Sequence, residues 1–98
     1  MAASVVACDE DHDLAILAPE DTKWLPPALP LAKQPTQIGS KVFTVGFPRI
    51  DKFGKTPKLS VGVVSAINGL ADNTSTYRLE LPIHQGNSGG PLVNTNGE

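Results

Sequence analysis

The sequence predicts an all-β chain, a barrel or a sandwich. Three observations carry this: short apolar segments bounded by turn residues recur along the chain, alternation is visible in two of them, and none has a convincing helical period. Residues 5–7 and 14–17 form the first pair, separated by the polar run Asp9-Glu10-Asp11-His12-Asp13. Pro19 ends the second of these, because proline cannot donate to a ladder. Prolines at 26, 27, 30 and 35 forbid a helix and predict an extended surface connection over residues 20–35, a strap between two units.

Strand signals resume at residues 41–45, 59–67, 77–81 and 91–93. In Tyr77-Arg78-Leu79-Glu80-Leu81 the two charged residues fall on one face and the other three on the opposite one. Both ends read as cut: residue 5 begins a strand with no turn before it, and Asn94-Thr95-Asn96-Gly97 is a hairpin turn with no returning strand. Unpaired barrel edges need partners, so missing strands or a second molecule are expected to complete them.

Composition narrows the function by exclusion. The 98 residues are 40 % hydrophobic, enough for one small core. A net charge of -2 with eight scattered basic residues leaves no patch to follow a phosphate backbone, so nucleic acid is not an expected partner. Cys8 is the only cysteine, which excludes an internal disulfide and a thiolate metal site; it reads as a small buried apolar residue beside Val5 and Val6. No apolar run is long enough to span a bilayer, and no leader pattern opens the chain. The compartment is left open.

Chemistry concentrates in His84-Gln-Gly-Asn-Ser-Gly-Gly-Pro-Leu92. Glycines on either side of Ser88 permit a tight bend that leaves the hydroxyl exposed and can turn the amides of Gly86 and Ser88 toward one point, where an oxyanion would be stabilised. The plain alternative is a flexible glycine-rich loop. A second element weighs against it: Asp13 stands at the entry of the apolar run Leu14-Ala-Ile-Leu17, and a carboxylate anchored at the start of a buried strand can orient and balance a catalytic imidazole. The acidic run 9–13 could instead be a solvated, strand-capping turn. Its consecutive carboxylates cannot converge easily on a metal, and their spacing fits neither a calcium loop nor a zinc pattern.

Four blocks in order, Asp13-Leu-Ala-Ile-Leu17, Ile38-Gly-Ser-Lys-Val-Phe-Thr-Val-Gly-Phe-Pro48, Ser60-Val-Gly-Val-Val-Ser-Ala66 and Gly86-Asn-Ser-Gly-Gly-Pro-Leu-Val93, resemble the trypsin-like serine peptidases, and most of all their bacterial HtrA (Deg) branch. The resemblance covers nearly the whole chain and is weak only in the strap and in residues 49–57. It implies an incomplete chymotrypsin-like double β-barrel: residues 1–19 as the end of the first barrel, 20–36 as the inter-barrel connection and 37–98 as most of the second.

Carried over by position, the resemblance implies Ser88 as nucleophile, Asp13 as the triad carboxylate and the Gly86 and Ser88 amides as the oxyanion hole. Asn87 stands where classical trypsins have the aspartate that pairs with a new N-terminus, implying activation by loop rearrangement. Pro82 falls at the base of the specificity pocket; with Ile83 it implies an uncharged pocket for small or medium apolar side chains, and His84 lies beside it.

The departure from the family is its histidine. Only twelve residues precede Asp13, and the family's general base lies well before that position. His12 is adjacent to Asp13 and would point away from it on an extended chain, so it reads as a surface histidine. The expected function is peptide-bond hydrolysis through an acyl-enzyme, needing no cofactor, in a fragment that lacks its base and is inactive alone. The alternative is a non-catalytic β-barrel binding or scaffold module. Expected partners are a polypeptide substrate and the missing barrel strands or further copies of the chain, and a periplasmic or other extracytoplasmic parent follows if the HtrA resemblance holds.

Overall fold

The computed structural model describes residues 2–47, 56–69, 71, 73–83 and 86–98. Six strands and no α-helix are found among them: β1 (Ala3–Asp9), β2 (Leu14–Pro19), β3 (Lys41–Gly46), β4 (Lys58–Ala66), β5 (Arg78–Glu80) and β6 (Leu92–Asn94). Each of the six expected segments is a strand, shifted by at most a few residues at its ends.

β1 and β2 form a two-stranded antiparallel ribbon with Asp9 opposite Leu14 and a bulge that leaves Val6 without a partner. Its turn is organised by Asp9, whose Oδ1 accepts the amides of Asp11 at 3.1 Å and His12 at 3.4 Å. The Glu20 amide donates to the Ala2 carbonyl at 3.0 Å and closes the far end.

Burial departs from expectation here. Leu14, Ile16 and Leu17 are exposed, and so is Cys8. A two-stranded ribbon has one layer and two faces, and no other described strand pairs with or packs broadly over this one, so neither face becomes a core. Apolar sequence identified the strand correctly; the burial that apolar sequence normally implies needs a second layer.

Residues 20–40 connect β2 to β3, and at their end the Gly39 amide donates to the Val64 carbonyl at 2.7 Å while the Val64 amide donates to the Ser40 carbonyl at 3.0 Å. They are largely exposed. Proline is the cause: each one removes a donor and biases its predecessor away from helical torsions.

The second sheet has the order β5-β4-β3-β6. β3 and β4 pair in antiparallel register from Lys41 opposite Val63 to Gly46 opposite Lys58. On its other edge β3 pairs with β6, Val42 opposite Asn94 and Thr44 opposite Leu92. Alternation along β3 buries Val42, Thr44 and Gly46, and the small core is Val42, Val64 and Val93, with Val64 fully enclosed. Across β4, Leu79 of β5 sits half-buried while Arg78 and Glu80 face water, as their alternation requires. Thr44 is a buried polar residue whose hydroxyl donates to the Pro91 carbonyl at 2.8 Å, so its burial leaves no unmet donor. Beyond β6 the Asn94 side chain accepts the amides of Asn96 at 2.9 Å and Glu98 at 3.0 Å, which makes the turn that Asn94-Thr95-Asn96-Gly97 predicts.

The two layers of burial predict two mutational responses. Val64→Ala is expected to lower the unfolding free energy by about 2 kcal/mol through lost packing and a residual cavity, whereas Val5→Ala on the uncovered ribbon should change it by less than about 0.5 kcal/mol. Urea titrations of the two variants check this; equal losses would contradict the assignment of the core to the second sheet.

Candidate active site

The segment between β5 and β6 carries Ser88, and its course is set by backbone geometry. Gly86 at φ 103° and Gly89 at φ 81° both lie in the left-handed region, where a side chain would be strained. The chain therefore folds back sharply around Asn87 and Ser88. A turn bond from the Gly90 amide to the Asn87 carbonyl at 3.0 Å spans the bend, and Ser88 is exposed on it.

Four consecutive residues at the end of β3 hold this bend from below. The Phe47 amide donates to the Gly86 carbonyl at 3.3 Å. The Asn87 carboxamide lies directly over Gly46, so closely that a Cβ on Gly46 would overlap it. The Gly90 backbone packs against the Val45 carbonyl, which would lie 3.3 Å from a Cβ at Gly90. Thr44 fixes Pro91 through its hydroxyl. Among the described residues, neither the Gly86 nor the Ser88 amide donates to another backbone carbonyl.

Asp13 ends the β1–β2 turn. It adopts φ 54°, a left-handed conformation that aspartate tolerates better than most residues, and its amide donates to the Glu10 carbonyl at 3.4 Å. Its side chain is exposed. No hydrogen bond or ion pair joins it to the serine loop among the described residues. His12 is engaged elsewhere: its Nδ1 lies 2.7 Å from Asp9 Oδ2, on the exposed turn.

Pro82 and Ile83 lie between β5 and the serine loop, both exposed, with Ile83 at 62 %. His84 lies outside the described residues. A cavity of about 770 Å³ opens away from this bend, between the strap at Leu29 and Leu31 and the second sheet at Val42, Tyr77 and Leu92. No group of three histidine, cysteine, aspartate or glutamate side chains among the described residues converges as a metal site would.

Sequence reasoning identified the residues of the bend and missed those beneath it. Thr44 and Gly46 read only as members of an alternating strand. The available signal was the small, inward-facing series at 42, 44 and 46, with a glycine at a position where a strand normally places a large side chain.

Comparison with known proteins gives this arrangement a family. Residues 1–98 match the family model of the trypsin-like peptidase domain. The periplasmic serine endoprotease DegP of Salmonella typhimurium is 34 % identical over 101 residues, covering 98 % of this chain and 20 % of that protein. Serine protease Rv3671c of Mycobacterium tuberculosis is 32 % identical over 102 residues, covering 98 % of this chain and 25 % of its own length. Among solved structures, Deg5 superposes with a TM-score of 0.74 at 26 % identity over 98 % of this chain and 47 % of that one. An inactive mutant form of Rv3671c does so at 0.67 and 28 %, over 98 % of this chain and 49 % of that one. The chain thus spans a quarter or less of these curated relatives and about half of the solved chains. The two partial sheets are those of a chymotrypsin-like double β-barrel that is not closed within these residues, and the chain belongs to the trypsin-like peptidase family, in which it resembles the HtrA/Deg serine endopeptidases.

Proposed function

We propose that these residues are the nucleophile-bearing part of a serine endopeptidase, with residues 1–19 contributing the end of the first barrel, 20–36 the connection and 37–98 most of the second. The observation that carries the reading is the bend itself: Ser88 is exposed between two left-handed glycines and braced from β3 on an otherwise short sheet. A loop that merely joined two strands would not need bracing at successive points.

In the proposed reaction Ser88 Oγ attacks a substrate carbonyl while the Gly86 and Ser88 amides take the developing negative charge. The acyl-enzyme forms as the amine leaves with a proton, and water then releases the acid and regenerates the serine. Both transfers require a base that becomes an acid. Neither histidine of this chain suits that role: His12 is held by Asp9 and follows the Asp9 turn, and His84 belongs with Pro82 and Ile83 in the proposed specificity pocket. The base is therefore supplied by residues other than these 98, with Asp13 as its orienting carboxylate, and the chain alone is a very slow hydrolase.

An uncharged pocket of Pro82 and Ile83 selects small or medium apolar side chains on the acyl side of the scissile bond. The substrate is a polypeptide. Serine endoproteases named as periplasmic among the relatives support an extracytoplasmic location for the parent, and the uncovered ribbon supports association with further barrel strands or with copies of the chain.

Three outcomes test this. With a fluorophosphonate probe and intact-mass detection, the parent polypeptide should take one label, abolished by Ser88→Ala, whereas the 98-residue chain should remain unlabelled over the same time. Labelling of the isolated chain at the parent's rate would mean that its base lies within it, and equal function of the parent after Ser88→Ala would favour a non-catalytic scaffold. Asp13→Asn in the parent should lower kcat by about 10⁴-fold, and Asp13→Gly, which suits φ 54° better than aspartate, should lose as much activity while retaining or raising thermal stability. A turn role for Asp13 alone would leave the glycine variant active. Peptides with alanine or valine before the scissile bond should be cleaved at least about tenfold faster, in kcat/KM, than those with lysine or aspartate; the reverse order would exclude the pocket assignment.

A further inference from the structure

We propose that Gly46 is a positioning residue for the serine loop, acting through Asn87: the missing side chain at 46 makes the seat on which the Asn87 carboxamide rests, and the seat sets the direction of the Ser88 amide and hydroxyl. The inference rests on the serine endopeptidase reading above and extends it to a residue outside the triad, the oxyanion hole and the pocket.

The contact is specific in a way that an ordinary strand glycine is not. A Cβ at Gly46 would overlap the Asn87 carboxamide and come to 3.0 Å from the Asn87 Cα. Rotation about the Asn87 Cα–Cβ bond would carry the carboxamide away and relieve the first of these, but not the second, which involves backbone. Gly46 is buried, and it has an ordinary strand conformation, so the demand for glycine there comes from the neighbour above it and not from φ.

Displacement of Asn87 must move both of its peptide groups. On one side is the Gly86 carbonyl, held by the Phe47 amide at 3.3 Å. On the other is the Ser88 amide, the donor assigned to the oxyanion. The Asn87 carbonyl is itself the acceptor of the turn bond from Gly90 at 3.0 Å. Downstream the loop cannot absorb the shift, because the Thr44 hydroxyl pins Pro91 at 2.8 Å and the β3–β6 ladder begins one residue later. The strain of a side chain at 46 is thus confined to residues 86–90. Pro82 and Ile83 lie upstream of that region, so substrate affinity should be affected less than the chemical step.

The test is a cycle of Gly46→Ala, Asn87→Ala and the double variant in the parent polypeptide, read by the fluorophosphonate labelling constants kinact and KI and by kcat and KM on an apolar peptide. Each single variant is expected to lose about 10²-fold in kinact and kcat, as when one oxyanion donor is misdirected, with KI and KM changed less than about threefold. The double variant should lose no more than the worse single one, since both remove the same contact. Losses that multiply, losses confined to KM, or a Gly46→Ala enzyme with unchanged kinact would overturn the proposal. If Gly46→Ala does not fold, Asn87→Ala decides alone: an unchanged kinact overturns the seat, and a 10²-fold loss at constant KI supports it. A wild-type parent that takes no label at Ser88 instead refutes the endopeptidase reading itself, which separates the two failures.

Discussion

The antiparallel pairing of β3 on both of its edges is the constraint on which the rest depends. Backbone donors and acceptors in a buried strand must be met, and β3 meets them with β4 on one side and β6 on the other. That double pairing leaves it no freedom to slide, because a slip of one residue would turn Val42 and Thr44 outward and break both ladders at once. Its last residues leave the β6 ladder still in register with β4, and they inherit that rigidity. The serine loop is bound to those residues. Its geometry is therefore a continuation of sheet geometry, which is how a glycine-rich bend can be held in one course.

The ribbon of β1 and β2 is at the opposite extreme. It has good hydrogen bonding, a side-chain cap at its turn and an apolar sequence, yet Val5, Val6, Ile16 and Leu17 all remain exposed. Ladder bonds alone give a two-stranded ribbon marginal stability in water, since folding exchanges bonds to water for bonds to protein. The hydrophobic contribution that would fix it, roughly 25 cal/mol per Å² of apolar surface removed from water, requires a covering layer. Asp13 is thus carried on the less constrained of the two sheets and Ser88 on the more constrained one.

Most of the fold was legible in the sequence. Strand positions follow from alternation and from glycine, proline and asparagine punctuation, both local properties, and all six strands appear where residues 5–7, 14–17, 41–45, 59–67, 77–81 and 91–93 place them. Burial was less legible, because it depends on layers and not on segments. Cys8 and Leu14 to Leu17 carry the composition of buried residues and are exposed. In the candidate site, the bend around Ser88 could be read from its own glycines. The brace could not: Thr44 and Pro91 are 47 residues apart, and Gly46 and Asn87 meet only once β3 and β6 are adjacent. A contact of that range leaves no local mark beyond an unexplained small residue.

On the proposed reading, separating the nucleophile's support from the acid-base partner has a physical logic. Aiming an amide at a forming oxyanion tolerates errors of only a fraction of an ångström, and the amide is part of the backbone, so its precision has to come from a sheet. A general base has a softer requirement: an imidazole can rotate, and a carboxylate behind it corrects the tautomer and orientation. On the proposed reading, the part that cannot adjust rests on the doubly paired strand, where Thr44, Gly46 and Phe47 each hold one point of the loop. On the same reading the part that can adjust belongs to Asp13, at a turn, whose side chain is exposed and whose amide makes a single long bond to Glu10.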